Sequence, residues 1–215
     1  MFSELACNQD QFTQCQKEFA QTLNINETYN WENPSALREA IQNVYVDPSE
    51  NGLVKISFNG LIKCLNRANL DVDTCISAKW LLHNDQKVDK AYPYAMLMKK
   101  IRWQCSAGFY PAFDNWKSIS EVYTKKNAVL LSCIDNFQSN ANHAAEQDIC
   151  AYASRGRRCY QQAFYEVCPE IAAVKNYGCE SFRQYVLAEY PQCDDFCEGI
   201  FIIRVLLSIV KFVIF

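Results

Sequence analysis

The chain has 215 residues, of which 50% are apolar and 13% aromatic, so it can bury a sizeable core and is not expected to be disordered. Its 21 basic and 24 acidic residues give a net charge of −3 with no strongly basic face expected, which excludes nucleic acid as a partner class. Six glycines and six prolines are too few for a small all-β scaffold, so the composition favours a mainly α fold.

Apolar residues recur at helical spacing along the chain. The first stripe covers residues 12–23, and the second follows Asn33-Pro34, a typical helix start, and stops at Asp47-Pro48. Residues 53–58 alternate like a short strand, but the apolar spacing over 58–65 favours a helix there. Further stripes predict helices within residues 71–82, 94–105, 119–137 and 179–190, with that over 119–137 the longest.

Twelve cysteines are spread from one end of the chain to the other. An even number at wide spacing is typical of a disulfide framework in an exported protein rather than of a metal site. We therefore predict a helical bundle stapled by disulfides, with the pairing left open. All twelve are predicted to take part in bridges: Cys7, Cys15, Cys64, Cys75, Cys105, Cys133, Cys150, Cys159, Cys168, Cys179, Cys193 and Cys197.

No pattern in the sequence indicates a metal, a cofactor or a catalytic centre. Cys193 and Cys197 form the one close cysteine pair, whereas a structural zinc site needs two such pairs. The chain has two histidines, His83 and His143, and we interpret both as structural residues in a helix end and a loop. The sequence therefore predicts no enzyme.

Three short segments are candidates for modification or contact. Asn26-Glu27-Thr28 is an acceptor for N-glycosylation. Arg155, Arg157 and Arg158 fit the pattern cut by secretory processing proteases, the alternative being a solvated basic turn. The densest aromatic stretch is a candidate contact surface, with core packing as its alternative. It contains Trp103, Phe109, Tyr110, Phe113 and Trp116.

The C-terminal residues 199–215 differ from the rest, because thirteen of the seventeen are apolar. A helix of that length would measure about 26 Å, close to the thickness of a bilayer core. We predict a membrane-anchoring tail, with an amphipathic helix on a membrane or on the domain, or a misread exon, as alternatives. Residues 1–198 are predicted to form one domain, and a division near residues 88–93 is the alternative.

The start of the chain lacks the apolar stretch of a secretory signal peptide. Since twelve thiols would have no evident role in a reducing cytosol, we expect the true N-terminus to be missing and the protein to be extracellular or at the cell surface.

Cysteine spacing and a few apolar positions also carry a resemblance to a known family. Seven residues separate Cys7 from Cys15, and Phe19 and Leu23 follow at regular intervals. The back half adds Ile101, Cys105, Leu131-Ser132-Cys133-Ile134, Cys150, Cys159, Cys168-Pro169 and Phe182. This pattern resembles the nematode secreted cysteine-rich family catalogued as domain of unknown function 19 and, more loosely, the cysteine-rich chondroitin-proteoglycan core domain. The resemblance implies an extracellular, helical, disulfide-bonded domain without established enzymatic activity.

These observations predict an extracellular interaction protein whose partner is a protein, a glycan or a small ligand, with membrane contact through residues 199–215. Two alternatives belong to other classes. A secreted hydrolase would need His83 or His143 in a cleft with a carboxylate or nucleophile. A small-lipid carrier would need an apolar internal cavity of a few hundred Å³.

Overall fold

The computed structural model describes residues 7–48 and 58–197. That part of the chain contains ten α-helices, two short 3-10 segments and no strand, and five disulfides join its elements. The prediction of a mainly α, disulfide-stapled fold is therefore confirmed. The helices are α1 (Gln9–Leu23), α2 (Pro34–Val44), α3 (Asn59–Arg67), α4 (Val72–Cys75), α5 (Ala78–His83), α6 (Val88–Gln104), α7 (Phe109–Asp114), α8 (Trp116–Ala141), α9 (Ile149–Val167) and α10 (Ala172–Leu187).

Local signals in the sequence set several helix ends. The Asn33 side chain accepts a hydrogen bond from the backbone N–H of Ala36, and Pro34 fills the first helical position of α2. Asp71 caps α4 in the same way. Helix α1 ends at Asn24, whose φ of 56° is left-handed, a conformation that asparagine tolerates. These starts and stops agree with the predicted ones.

Four long helices form the centre of the molecule. Helix α8 lies against α9, and α6 lies antiparallel to α10, since Trp103 contacts Tyr177 near one end and Tyr92 contacts Tyr190 near the other. Helix α6 is central, because it buries residues around its whole circumference. Helices α1, α3 and α5 pack together beside α6 as a front group, and α2 lies across α6 and α8.

Residues of the front and back halves belong to one hydrophobic cluster. It includes Phe12 and Leu61 of the front group together with Tyr123 and Phe164 of the bundle. Residues 88–93, where the sequence suggested an alternative division, form the first turns of α6, and Ala91 is fully buried there.

Five disulfides pair ten of the twelve cysteines, so the prediction that all twelve are paired is corrected: Cys105 and Cys168 lie outside these bridges. Two bridges staple the front group and three staple the back of the bundle. The pairs are Cys7–Cys75, Cys15–Cys64, Cys133–Cys159, Cys150–Cys193 and Cys179–Cys197. Cys105 directly follows α6 and packs against the hydrophobic core. Cys168 directly follows α9 and is part of that core.

Within residues 7–48 and 58–197, no helix combines the length and the apolar character needed to cross a membrane. The predicted membrane-anchoring tail at residues 199–215 lies outside the described residues.

Candidate functional site

The structure separates the five aromatic residues that the sequence grouped as a contact surface. Trp116 is buried and its indole N–H donates to the backbone oxygen of Asp47 at 2.9 Å, so it belongs to the core. Trp103 is half-buried, with its ring 5.4 Å from that of Tyr177. The alternative of core packing therefore describes these two tryptophans.

The other three aromatic residues form an exposed surface on α7. Tyr110 is 74% exposed and Phe113 is 50% exposed, while Phe109 is half-buried between them. The rings of Phe109 and Phe113, one helical turn apart, stack with centroids 6.1 Å apart. We call this group, residues 109, 110 and 113, the α7 patch. Exposed aromatic side chains of this kind are enriched at interfaces.

Rigid packing supports the α7 patch from below. Ala112 of α7 is fully buried, and α7 contacts α6, α8 and α10. Gly108 brings the start of α7 against the Trp103 ring, where a Cβ would lie 2.8 Å from a ring carbon. A short helix fixed in this way presents its exposed rings in one arrangement, which lowers the entropy cost of binding.

A second cluster of functional side chains lies in the centre of the bundle. Lys100 of α6 is 3% exposed, and its ammonium donates to the Tyr160 hydroxyl at 2.8 Å. The Tyr160 hydroxyl lies 3.2 Å from that of Tyr123, whose ring stacks on Tyr45 at 4.5 Å. Tyr45 donates to Gln104, one turn after Lys100. We call these residues, Lys100, Tyr160, Tyr123, Tyr45 and Gln104, the Lys100 cluster. The Gln104 side chain also donates to the hydroxyl of Ser181 in α10, so each of the four long helices contributes a residue to the cluster or to this contact.

Burial controls the protonation of the Lys100 cluster. Desolvation, with a smaller contribution from the positive charge of Arg38, lowers the pKa of Lys100 to about 7. Desolvation also raises the pKa of Tyr160 well above its usual value and that of Tyr123 to about 12. A buried amine with a pKa near neutrality is a typical feature of catalytic sites. The cluster is packed inside the bundle, however, and lines none of the cavities described below.

The sequence analysis did not identify Lys100, because a pair of adjacent lysines, Lys99-Lys100, is expected to be exposed to solvent. The signal that could have identified it is the run of apolar residues 94–98, since a helix that is apolar on adjacent faces is buried all round. Lys100 lies one turn after Met96 and Leu97, which are both buried.

Two described cavities are open to solvent. One of about 340 Å³ lies between α3, α4 and α6 and is lined by Asn66, Asp71 and Arg102 among others. Another, of about 210 Å³, lies between α8 and α9 beside the Cys133–Cys159 bridge. Neither is the apolar internal cavity that a small-lipid carrier would need.

Both histidines are exposed. His83 is the last residue of α5, and His143 lies in the turn after α8. Neither lines the two cavities described above. Among residues 7–48 and 58–197, no three His, Cys, Asp or Glu side chains are grouped so that they could hold one metal ion.

Asn26 is exposed in the turn after α1. Its side-chain oxygen accepts hydrogen bonds from the backbone N–H and the hydroxyl of Thr28, each at 2.9 Å. This turn leaves the Asn26 amide nitrogen, the atom that carries a glycan, facing solvent.

The arginine-rich segment lies in the middle of α9, so its interpretation as a basic turn is wrong. Arg155 and Arg158 are exposed, but Arg157 is 9% exposed and pairs with Asp195 at 2.6 Å. A processing protease needs an extended substrate, which this helical segment does not offer in the folded protein. Its placement argues against the predicted cleavage.

The fold and the α7 patch define a class, a disulfide-stapled α-helical bundle with an exposed aromatic surface. Comparison of the chain with protein-family models, with curated proteins and with solved structures finds no match.

Proposed function

We propose that this protein is an extracellular interaction protein that binds its partner through the α7 patch. One observation supports this most directly: two large aromatic side chains, Tyr110 and Phe113, stand exposed on a short helix that packs against three neighbouring helices through the buried Ala112. Exposed aromatic groups on a rigid support are the usual anchors of binding surfaces. The five disulfides support an extracellular location.

This proposal agrees with the resemblance to the nematode secreted cysteine-rich family, which implies an extracellular domain without established enzymatic activity. It assigns no catalytic role to the Lys100 cluster, because the cluster is packed in the interior of the bundle and lines neither described cavity. The hydrolase and lipid-carrier alternatives receive no support from the described histidines or cavities.

The test is binding of fluorescently labelled, oxidised full-length protein to intact cells and extracellular matrix. We expect saturable binding that unlabelled protein displaces and that the Tyr110→Ser/Phe113→Ser variant lowers at least tenfold. Val88→Ser is the matched control, because Val88 is 50% exposed at the first residue of α6, far from α7. Equal binding by both variants and the wild type would disprove a role for the α7 patch.

A further inference from the structure

The last described segment of the chain, residues 193–197, runs along the groove between α9 and α10. Cys193 is bonded to Cys150 in the first turn of α9. Two residues later, Asp195 pairs with Arg157, two turns further along the same helix, at 2.6 Å. The segment therefore advances from the start of α9 toward its end.

Contacts with α10 give the same direction. Asp194 pairs with Arg183 at 2.5 Å, and Cys197 is bonded to Cys179, one turn closer to the start of α10. Because the end of α9 and the start of α10 are joined by residues 168–171, both sets of contacts direct the chain toward the same end of the bundle.

That end of the bundle also carries α7. The Cys168 thiol, just after α9, lies 3.8 Å from the backbone oxygen of Ser118 in the first turn of α8, and α7 immediately precedes α8. We call this end the α7 end. The interval from Ala172 to Cys179 spans about 10 Å of helix, whereas a helix as long as residues 199–215 would measure about 26 Å.

Exposed apolar side chains are concentrated there. Six large apolar side chains are exposed in the described part of the chain, and three of them, Tyr110, Phe113 and Tyr165, lie at the α7 end. A fourth, Phe196, is 63% exposed on the segment that leads toward it. Aromatic side chains are the residues that collect at the boundary between lipid and water.

Charges at the α7 end are of both signs. Lys125 pairs with Glu121 and Lys126 with Glu166, and Lys175 lies over the ring of Tyr165 at 5.4 Å. Two further exposed charges on or near α7, Lys117 and Asp114, are opposite in sign. Attraction to an anionic surface is therefore weak, and apolar insertion is the force that this end can supply.

From these contacts we infer that the α7 end, toward which the chain runs before the predicted membrane tail, faces a lipid bilayer, with Tyr110, Phe113 and Tyr165 at the level of the headgroups. This inference rests on the proposed function and names a lipid surface as the partner of the α7 patch. A zwitterionic bilayer is sufficient, because aromatic side chains at the interface need no anionic lipid.

The test uses the oxidised full-length protein with phosphatidylcholine vesicles that contain a photoactivatable phosphatidylcholine. After illumination, mass spectrometry locates the lipid adducts. We expect adducts on residues 109–113 and on Tyr165, besides those on 199–215, at low and at high salt alike. We expect none around Val88, which is exposed at the opposite end of α6.

The Tyr110→Ser/Phe113→Ser variant is expected to lose the adducts on α7 and to bind these vesicles about tenfold more weakly than Val88→Ser. Adducts confined to residues 199–215, or no vesicle binding, would overturn the inference. If the double variant loses binding to cells but keeps wild-type binding to protein-free vesicles, the partner is a protein or glycan. The interaction function would then stand and the lipid inference would fall. Circular dichroism of each variant checks that the fold is retained.

Discussion

Lys100 shows how a single side chain can oppose the fold that contains it. Its ammonium donates a hydrogen bond to the hydroxyl of Tyr160 and lies 4.9 Å from the centroid of that ring. The positive charge of Arg38 also acts on it. No carboxylate is among the causes of its pKa shift. The charged form is therefore costly, and the neutral amine is the form that the interior favours.

The stability of the protein should consequently rise with pH above neutrality. The pKa of Lys100 is about 7 in the folded protein and 10.5 ordinarily, so the unfolded chain binds more protons between these values. From pH 7 to about 9.5 the free energy of unfolding should rise by ~3 kcal/mol through this residue. Above pH 10 the gain should reverse, because burial raises the pKa of Tyr160 and unfolding frees it to ionise.

Chemical denaturation of Lys100→Met across this pH range checks the assignment. The variant should be more stable than the wild type at pH 7, with no rise toward pH 9.5. Lys99→Met, which changes the exposed neighbouring lysine, is the control and should keep the wild-type slope. A wild-type slope in Lys100→Met would show that another group causes the pH dependence.

Asn26 gives a second prediction at the scale of one residue. Protein made in a secretory host should carry one glycan on Asn26, seen as a mass increase that an amidase removes. Thr28→Ala should abolish the glycan, since it deletes the hydroxyl that the sequence motif requires, whereas Thr28→Ser should keep it. An unmodified wild-type protein from such a host would contradict the prediction.

At the scale of helices, close approach of α9 and α10 depends on two glycines. A Cβ at Gly178 would lie 2.5 Å from a ring carbon of Phe164, and one at Gly156 would lie 2.4 Å from Phe182. Both contacts are shorter than van der Waals packing allows, so the glycines are needed for packing rather than for backbone freedom. These two helices also hold three of the ten bonded cysteines, Cys150, Cys159 and Cys179.

Gly178→Ala should therefore destabilise the protein by about 1–3 kcal/mol, because the added methyl group displaces the Phe164 ring. Gly60→Ala is the matched control. Its Cβ would lie 3.4 Å from the Thr22 hydroxyl, an ordinary contact, and its stability should stay within about 1 kcal/mol of the wild type. Denaturant unfolding gives the free energy of unfolding of both variants. Equal values for the two would contradict tight packing at Gly178.

Sequence periodicity predicted the helices that have large apolar residues on one face, such as α1, α2 and α8. It missed α9, because the buried face of that helix includes the small residues Ala153, Gly156 and Ala163 and the charged Arg157. Arg157 is buried only because Asp195, 38 residues later, comes back to pair with it. A local pattern carries no information about so distant a partner.

The spacing of one cysteine pair illustrates the same limit. Cys64 and Cys75 are eleven residues apart, which would place both sulfurs on one face if the helix between them were continuous. The chain instead ends α3 at Arg67 and restarts α4 at Val72, and the two sulfurs bond to Cys15 and Cys7 of the front group. A spacing fits a face only where no turn interrupts the helix.

In the whole molecule, disulfides link elements within the front group and within the back of the bundle, and the hydrophobic core holds these two parts together. No described bridge connects the front group with the back of the bundle, so these parts are held to each other by the shared core. Each bridge contributes roughly 2–4 kcal/mol, mainly by restricting the unfolded chain. Reduction should accordingly unfold the protein or lower its melting temperature markedly.

Mass spectrometry of alkylated native protein provides the measurement. Without reductant, ten cysteines should resist alkylation, and protease digestion should release peptides joined as Cys7–Cys75, Cys15–Cys64, Cys133–Cys159, Cys150–Cys193 and Cys179–Cys197. Alkylation of most of these ten in natively made protein would contradict both the framework and an extracellular location.

The sequence by itself determined the helical class, most of the long helices, several of their ends and the presence of a disulfide framework, because composition, capping residues and apolar spacing act locally. Only the tertiary structure decided which cysteines pair, that Lys100 and Arg157 are buried, and that Tyr110 and Phe113 are exposed while Trp116 is not. Those outcomes depend on which helices pack against one another, and packing joins residues that are far apart in the chain.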